Sequence, residues 1–325
     1  MSTHPQTPRE DAVARTGTPV VAVCALTCRR PVGVRMLLEG IAAQRFDGPA
    51  PDVRVVIVDN DAEGSGRDAV EGVRDEGFPF PLHYAVETTR GIPFGRNRAI
   101  AEAGDVDLVV FIDDDEIPEP DWLDRLLRTW RATGADVVTG PVLPVFPTPP
   151  PEWVTRGRFF DRRRHRTGEE IHYARTSNVL IARDVYAAHP KPFPESFANN
   201  GGDDTYFFMR ANLEGRRIVW ADDAIVSEEV PASRVDTRWL MRREYRRGNT
   251  LSLCLRVLED SPRRRVKRAA AGVVNILLGA VSVPLGLLRG RHAAVAGLQR
   301  VWFGAGLLSG LTGHVYQEYT TIHGR

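Results

Sequence analysis

The chain has 325 residues, 42% of them hydrophobic and 26% charged, and a formal net charge of +1 from 43 Lys and Arg against 42 Asp and Glu. That balance excludes a disordered chain and a protein built mostly of membrane spans, and it leaves no global field to draw nucleic acid. Three cysteines, Cys24, Cys28 and Cys254, supply neither a disulfide framework nor a paired zinc site, so a reduced, cytosol-facing compartment is expected.

Residues 1–18 are polar, with Pro5, Pro8, Arg9, Glu10 and Asp11 and no apolar run of a secretory signal, and are expected to form a disordered lead-in. Val20–Leu26 reads as a buried strand. Val34, Leu37, Leu38 and Ile41 follow at the i, i+3, i+4, i+7 spacing of one helix face. Val53–Val58 is a second strand ending at Asp59 and Asn60, Leu82–Val86 a third, and Leu108–Ile112 a fourth that runs straight into Asp113. Pro120 opens a helix that turns Trp122, Leu123, Leu126 and Leu127 inward, proline being favoured at the first helical position. Val137–Val142 is expected as a fifth strand. Strands alternating with helices at this spacing predict an α/β fold, a mostly parallel sheet with helices on both faces.

Pro144, Pro147, Pro149, Pro150 and Pro151 form a bend between a first half, residues 19–142, and a second, residues 143–260. A basic stretch from Arg156 to Arg166 is expected as a mobile loop. Asn178–Ile181 and Arg217–Trp220 read as strands, with a helix between them starting near Asp204, and residues 236–258 as an arginine-rich helix. Behind Arg263, Arg264, Arg265, Lys267 and Arg268, residues 269–288 carry no charge. As a helix they span roughly 30 Å, enough to cross a hydrocarbon core, and Pro284 and the glycines are tolerated there. Val301–Gly313 is a second apolar stretch, too short to span alone. Residues 261–325 are therefore expected to associate with a membrane as a span, a re-entrant hairpin or an interfacial helix, with the basic residues against an anionic cytoplasmic leaflet. A hairpin merely packed on the rest of the chain is the competing expectation.

Ligands of such sheets bind beyond the carboxyl ends of the strands, where Asp59, Asp113, Asp114 and Asp115 stand. No glycine-rich dinucleotide loop follows the first strand, where Thr27–Pro31 stands instead, and no P-loop occurs; both absences argue against those nucleotide-binding classes. Three adjacent aspartates repel one another unless a cation neutralises them, and Mg²⁺ or Mn²⁺ suits an oxygen set. A solvated acidic turn is the competing reading. Asp203 and Asp204 follow Asn199–Asn200–Gly201–Gly202, where glycines permit close approach to a ligand; capping of a helix is the alternative. Arg96, within Arg90–Asn97, has the planar fork that suits a phosphate. Arg243, Arg246, Arg247 and Asn249 form another basic group, equally readable as a solvated helix face. His165, His172 and His189 have no paired spacing.

Val-Val-Ile-Val-Asp-Asn-Asp (55–61), Arg-Gly-Ile-Pro-Phe-Gly-Arg-Asn (90–97), Phe-Ile-Asp-Asp-Asp-Glu-Ile-Pro (111–118) and Gly-Gly-Asp-Asp-Thr-Tyr-Phe-Phe (201–208) occur in that order. Across residues 19–250 the chain resembles the inverting family-2 glycosyltransferases of the GT-A fold, a Rossmann-like architecture, and among them the bacterial glucosyltransferases of succinoglycan-type exopolysaccharides. The resemblance implies a UDP-sugar donor, a glycan or polyprenyl-linked acceptor and a divalent metal. Carried over by motif, Thr27, Asp59 and Asp114 would lie on the nucleotide-sugar, with Asp59 at the uridine, Arg96 on the nucleotide or diphosphate, and Asp113 by the ribose. Asp115 would hold the metal, Asp204 would be the catalytic base with Asp203 beside it, and Arg246, Arg247 and Asn249 would face the acceptor. Where many relatives carry a metal-ligating His this chain has Ser227, which leaves Glu228 as the candidate third ligand. A tethered, non-catalytic sugar-nucleotide binder and a nucleotidyltransferase are the alternatives; release of UDP rather than pyrophosphate separates transfer from the latter.

Overall fold

The structure, a computed structural model, describes residues 17–316. Residues 1–16 of the expected lead-in lie outside the described residues.

The first half alternates as its periodicity predicts: β1 (Val20–Thr27), α1 (Pro31–Ala42), β2 (Asp52–Asp59), α2 (Arg67–Asp75), β3 (Leu82–Val86), α3 (Ile92–Ala103) and β4 (Leu108–Phe111). β5 (Glu116–Pro118), α4 (Trp122–Thr133), β6 (Val137–Thr139), β7 (Val142–Val145), α5 (Glu152–Gly157), β8 (Glu170–Ile171), β9 (Val179–Ala182) and α6 (Arg183–Tyr186) follow. α7 (Asp203–Leu213), β10 (Ile218–Trp220), β11 (Val226–Glu229), α8 (Thr237–Leu258), α9 (Pro262–Leu287) and α10 (Arg291–Thr312) complete the described strands and α-helices. An eight-stranded sheet runs β3-β2-β1-β4-β9-β6-β10-β8, and a small sheet runs β5-β11-β7. Covered on both faces, the strands read as continuous apolar runs rather than alternating ones. Val34, Leu37, Leu38 and Ile41 of α1 are all fully buried against them.

Four features depart from the sequence expectation. The fifth strand is two strands in different sheets, because Gly140 and Pro141 interrupt it. A Cβ on Gly140 would strike the Ala224 carbonyl, and proline cannot donate to a ladder. Secondly, β9 runs antiparallel to both β4 and β6. Its entry is set by Asn178, a fully buried residue at φ 56°. The Asn178 amide accepts from Trp122 Nε1 at 2.7 Å and donates to the carbonyls of Pro141 at 2.8 Å and Ala224 at 2.7 Å. Thirdly, the Arg156–Arg166 stretch is pinned rather than loose: Arg162 pairs with Glu228 at 2.7 Å and Arg164 with Asp222 at 2.8 Å. Pro120 precedes its helix by a turn instead of opening it.

Three long helices close the C-terminal side. Asp236 caps α8 through the N–H groups of Arg238 and Trp239, and Ser261 with Pro262 starts α9. α10 lies between α8 and α9. Gly272, Gly279 and Gly286 of α9 are its buried residues, and they meet α10 backbone; a Cβ on Gly279 would stand 2.8 Å from Val301 N. Gly306 and Gly310 of α10 press likewise on the backbone of Tyr245 and Asn249 in α8. Small residues let the three axes approach closely.

Candidate active site

The strands deliver their acids to one edge. Thr27 and Asp59 are register partners at the ends of β1 and β2, and Asp113, Asp114 and Asp115 follow β4 on the other side of β1. Asp59 is fully buried. Its carboxylate accepts from the N–H groups of Asp61 at 3.0 Å and Gly66 at 2.6 Å and from the Tyr84 hydroxyl at 2.8 Å. Thr27 Oγ1 donates to Asp114 Oδ2 at 2.8 Å. Both side chains, expected on the donor nucleotide, find their hydrogen-bond partners within the chain, as buried polar atoms do.

Arg30 Nη1 donates to both Asp114 and Asp115 at 3.0 Å. Burial raises Asp114 to about 6, with Arg30 opposing, and burial reinforced by Asp115 raises Asp113 to about 7. The sequence reading overlooked Glu116. It is buried on β5, its Oε2 accepts the Asp113 N–H at 3.0 Å, and its Oε1 has no hydrogen-bond partner among the described residues. Burial and Asp113 drive its carboxyl well above the usual range. Glu228, opposite Glu116 in the β5–β11 ladder, is held by Arg162 at 2.7 Å and Arg234 at 2.8 Å; Arg234 also reaches Asp115 at 3.7 Å.

The chemistry of this set suits a divalent ion. Crowded carboxylates with raised pKa values and an orphaned buried oxygen mark an edge short of positive charge, and the oxygen donors suit Mg²⁺ or Mn²⁺. No three potential ligands form a ready cage among the described residues. Such ions are commonly held by one or two carboxylates together with substrate phosphates, and Asp115, less buried than Asp114, fits that need. Glu228 does not, because both its oxygens are taken by arginines; it anchors Arg162 and Arg234.

The raised carboxyls carry a pH consequence. Asp113 and Asp114 bind protons in the folded chain that the unfolded chain, with pKa values near 3.8, has released. Stability of the metal-free protein is therefore expected to fall as pH rises from about 4 through 6 to 7. Denaturant titrations on either side of that window check this, and Asp113→Asn should flatten the slope. A slope unchanged by Asp113→Asn would place its origin elsewhere.

The second acidic centre opens α7. Gly201 and Gly202 adopt φ values of 65° and 95°, left-handed backbone that suits glycine. A Cβ on Gly202 would collide with Thr250, so the glycine also seats the start of α7 on α8. Asp203 is buried and accepts from Arg96 at 2.6 Å. Asp204 is partly exposed, and only its Oδ1 is engaged among the described residues, accepting from Thr205 N at 2.6 Å.

Arg96 is not an open phosphate fork. It is buried, stacked 5.6 Å from the Phe193 ring and paired with Asp203. Burial works against its charge, but Asp203, Asp204 and Asp113 more than offset that and raise its pKa. Arg96 thus stands between the two acidic centres and ties them together.

Of the α8 residues, Arg246 and Arg247 belong to an arginine group with Arg162 and Arg175. Arg175 is exposed at its surface, yet partial desolvation and Arg162 lower its pKa, Asp204 raises it, and Arg247 and Arg246 lower it further. Arg247 also reaches Glu244 at 3.3 Å and stacks over Phe303 at 4.6 Å. Asn249 departs from the acceptor-side expectation: it is buried toward α10, donating to the His314 carbonyl at 2.8 Å. Arg175 was not singled out in the sequence. Its only signal is its place just before an apolar strand, and that strand's antiparallel direction carries it to the acidic edge.

A Rossmann-like sheet with two acidic centres at its carboxyl edge and a short accessory sheet beside them is the GT-A arrangement of nucleotide-sugar glycosyltransferases. The chain belongs to glycosyl transferase family 2, whose pattern matches residues 22–189. It is 34% identical to the succinoglycan biosynthesis protein ExoM of Rhizobium meliloti (strain 1021), over 90% of this chain and 92% of that protein. It is 26% identical to the glucosyl-dolichyl phosphate glucuronosyltransferase of Haloferax volcanii, over 70% of this chain and 74% of the relative. The fold is shared with the mannosyltransferase PcManGT of Pyrobaculum calidifontis in complex with GDP-Man and Mn²⁺, at a TM-score of 0.61 and 18% identity, covering 91% of this chain and 88% of that one. S. aureus TarS 1–349 in complex with UDP matches at a TM-score of 0.52 and 18% identity, covering 94% and 95%.

Proposed function

We propose that this family-2 glycosyltransferase moves a hexose from a UDP-sugar to a glycan on a polyprenyl-linked acceptor, with inversion, at the cytoplasmic face of the membrane. The observation that carries the reading is the pair of acidic centres joined through Arg96: a crowded carboxylate edge at the strand ends, and a partly exposed Asp204 with the arginine group of Arg162, Arg175, Arg246 and Arg247 nearby. In a direct displacement the acceptor hydroxyl oxygen bonds to the anomeric carbon as its bond to the UDP oxygen breaks. Asp204 takes the hydroxyl proton from the face opposite the leaving group. Asp203, fixed by Arg96, sets the start of α7 and so the direction of Asp204. A bound Mg²⁺ or Mn²⁺ would supply Lewis acidity toward the departing diphosphate, with Asp115 as its holder. Arg246, Arg247, Arg162 and Arg175 supply positive charge on the acceptor side, which suits a phosphate-bearing carrier.

Incubation with UDP- and GDP-sugars and Mn²⁺ tests this: free UDP with sugar on the acceptor supports it, and released pyrophosphate or no turnover with any donor overturns it. Asp115→Asn should weaken metal-dependent UDP binding, because a hard-ion site loses an anionic ligand. Calorimetry with UDP and Mn²⁺ would show it; unchanged affinity with full metal dependence would remove Asp115 from the ion.

A further inference from the structure

The face of α9 turned away from α10 is bare and apolar. Val266, Val273, Leu277, Val281, Leu285 and Leu288 recur along it at helical spacing, each between 46% and 86% exposed. No charged residue interrupts 269–288. The two polar side chains of that stretch each bond to their own helix, Asn275 to the Ala271 carbonyl at 2.8 Å and Ser282 to that of Leu278 at 2.6 Å. Basic residues flank both ends: Arg263 and Lys267 at the start, Arg289 and Arg291 at the finish.

Among the described residues α9 is the one helix long and apolar enough to cross a bilayer, yet its neighbours set its orientation. α10 runs beside it over its length, with Gly272 meeting Gly304 and Gly286 meeting Ala294. α8 in turn runs beside α10: Arg291 donates to Thr237 at 3.2 Å, and Arg256 donates to the Leu311 carbonyl at 3.1 Å. If α9 crossed the membrane, α8 would be drawn to the same depth with Arg242, Arg243, Arg246 and Arg247, a costly burial of charge. Basic residues at both ends also oppose the one-sided bias of a span and suit a helix lying in the headgroup layer, both ends on one anionic surface.

We infer that α9 lies flat in one leaflet of an anionic membrane, its outer stripe among the acyl chains and its basic ends on headgroups. α10 and α8 then stand between the lipid and α7, holding Asp204 roughly two to three interhelical spacings of 8–10 Å above α9. This deepens the membrane attachment of the proposed function, and its test contains no sugar, so it fails or holds independently of transfer.

Val266→Cys, Leu277→Cys and Leu288→Cys, each in the full chain with Cys28→Ser, would carry an environment-sensitive fluorophore on vesicles of phosphatidylcholine with phosphatidylglycerol. Depth-dependent quenching is expected to place all three labels at one shallow depth. A label at 277 near the bilayer centre, with those at 266 and 288 near its surfaces, would overturn the inference in favour of a span. Failure to bind the vesicles, or a stable lipid-free dimer that shields the 277 label, would overturn it too. The double change Leu277→Glu with Val281→Glu should lower vesicle affinity by about tenfold or more. Its thermal midpoint should stay unchanged, since both sites are exposed.

Discussion

Asp204→Asn is expected to keep UDP-sugar binding and to lose about 10²–10⁴ of the transfer rate, the usual effect of removing a general base. The two acidic centres explain the split. The carboxylates of 113–116 and 228 sit after β4 and on the β5–β11 ladder, whereas Asp204 leads a different helix and is partly exposed. Asparagine keeps the size of the side chain and can still accept from Thr205 N, so the start of α7 should persist. Transfer rate and donor affinity measured side by side decide the matter. Near-normal turnover would return Asp204 to a helix-start role and move the base elsewhere. A parallel loss of donor binding would show that the two centres are not functionally separate.

Arg96→Met is expected to destabilise the protein by about 3–5 kcal/mol, because it strands Asp203 as an unpaired buried charge. The side chains of Arg96 and Asp203 are 11% and 2% exposed, so little water reaches either. Asp203→Asn should cost less, since Arg96 retains Asp204 and Asp113 nearby as counter-charges. A double-mutant cycle with Arg96→Met and Asp203→Asn isolates the pairwise energy. The double variant should be more stable than the sum of the single losses, since both charges are then gone. Additive losses would mean that Arg96 acts mainly through its stacking on Phe193. Transfer should fall in both single variants through misplacement of Asp204, with rate affected more than donor affinity.

The sequence by itself determined the local elements and the edge on which chemistry would gather. Apolar spacing in β1 and α1 encodes burial directly, because every third or fourth side chain of a helix shares one face. Aspartates at strand ends are local too, and they reach the carboxyl edge wherever the strands run parallel. The uncharged run of α9 announced a helix able to meet lipid. What the tertiary structure decided were pairings between residues far apart in the chain. Arg96 looked free for a phosphate until a partner 107 positions away enclosed it. Glu228 looked like a metal ligand until Arg162 and Arg234 took both oxygens. Asn249 looked like an acceptor contact until α10 covered it. The direction of β9, which brings Arg175 toward Asp204, and the packing of α9 along α10 have the same origin. Periodicity reports which face of an element is buried, but not which distant surface buries it.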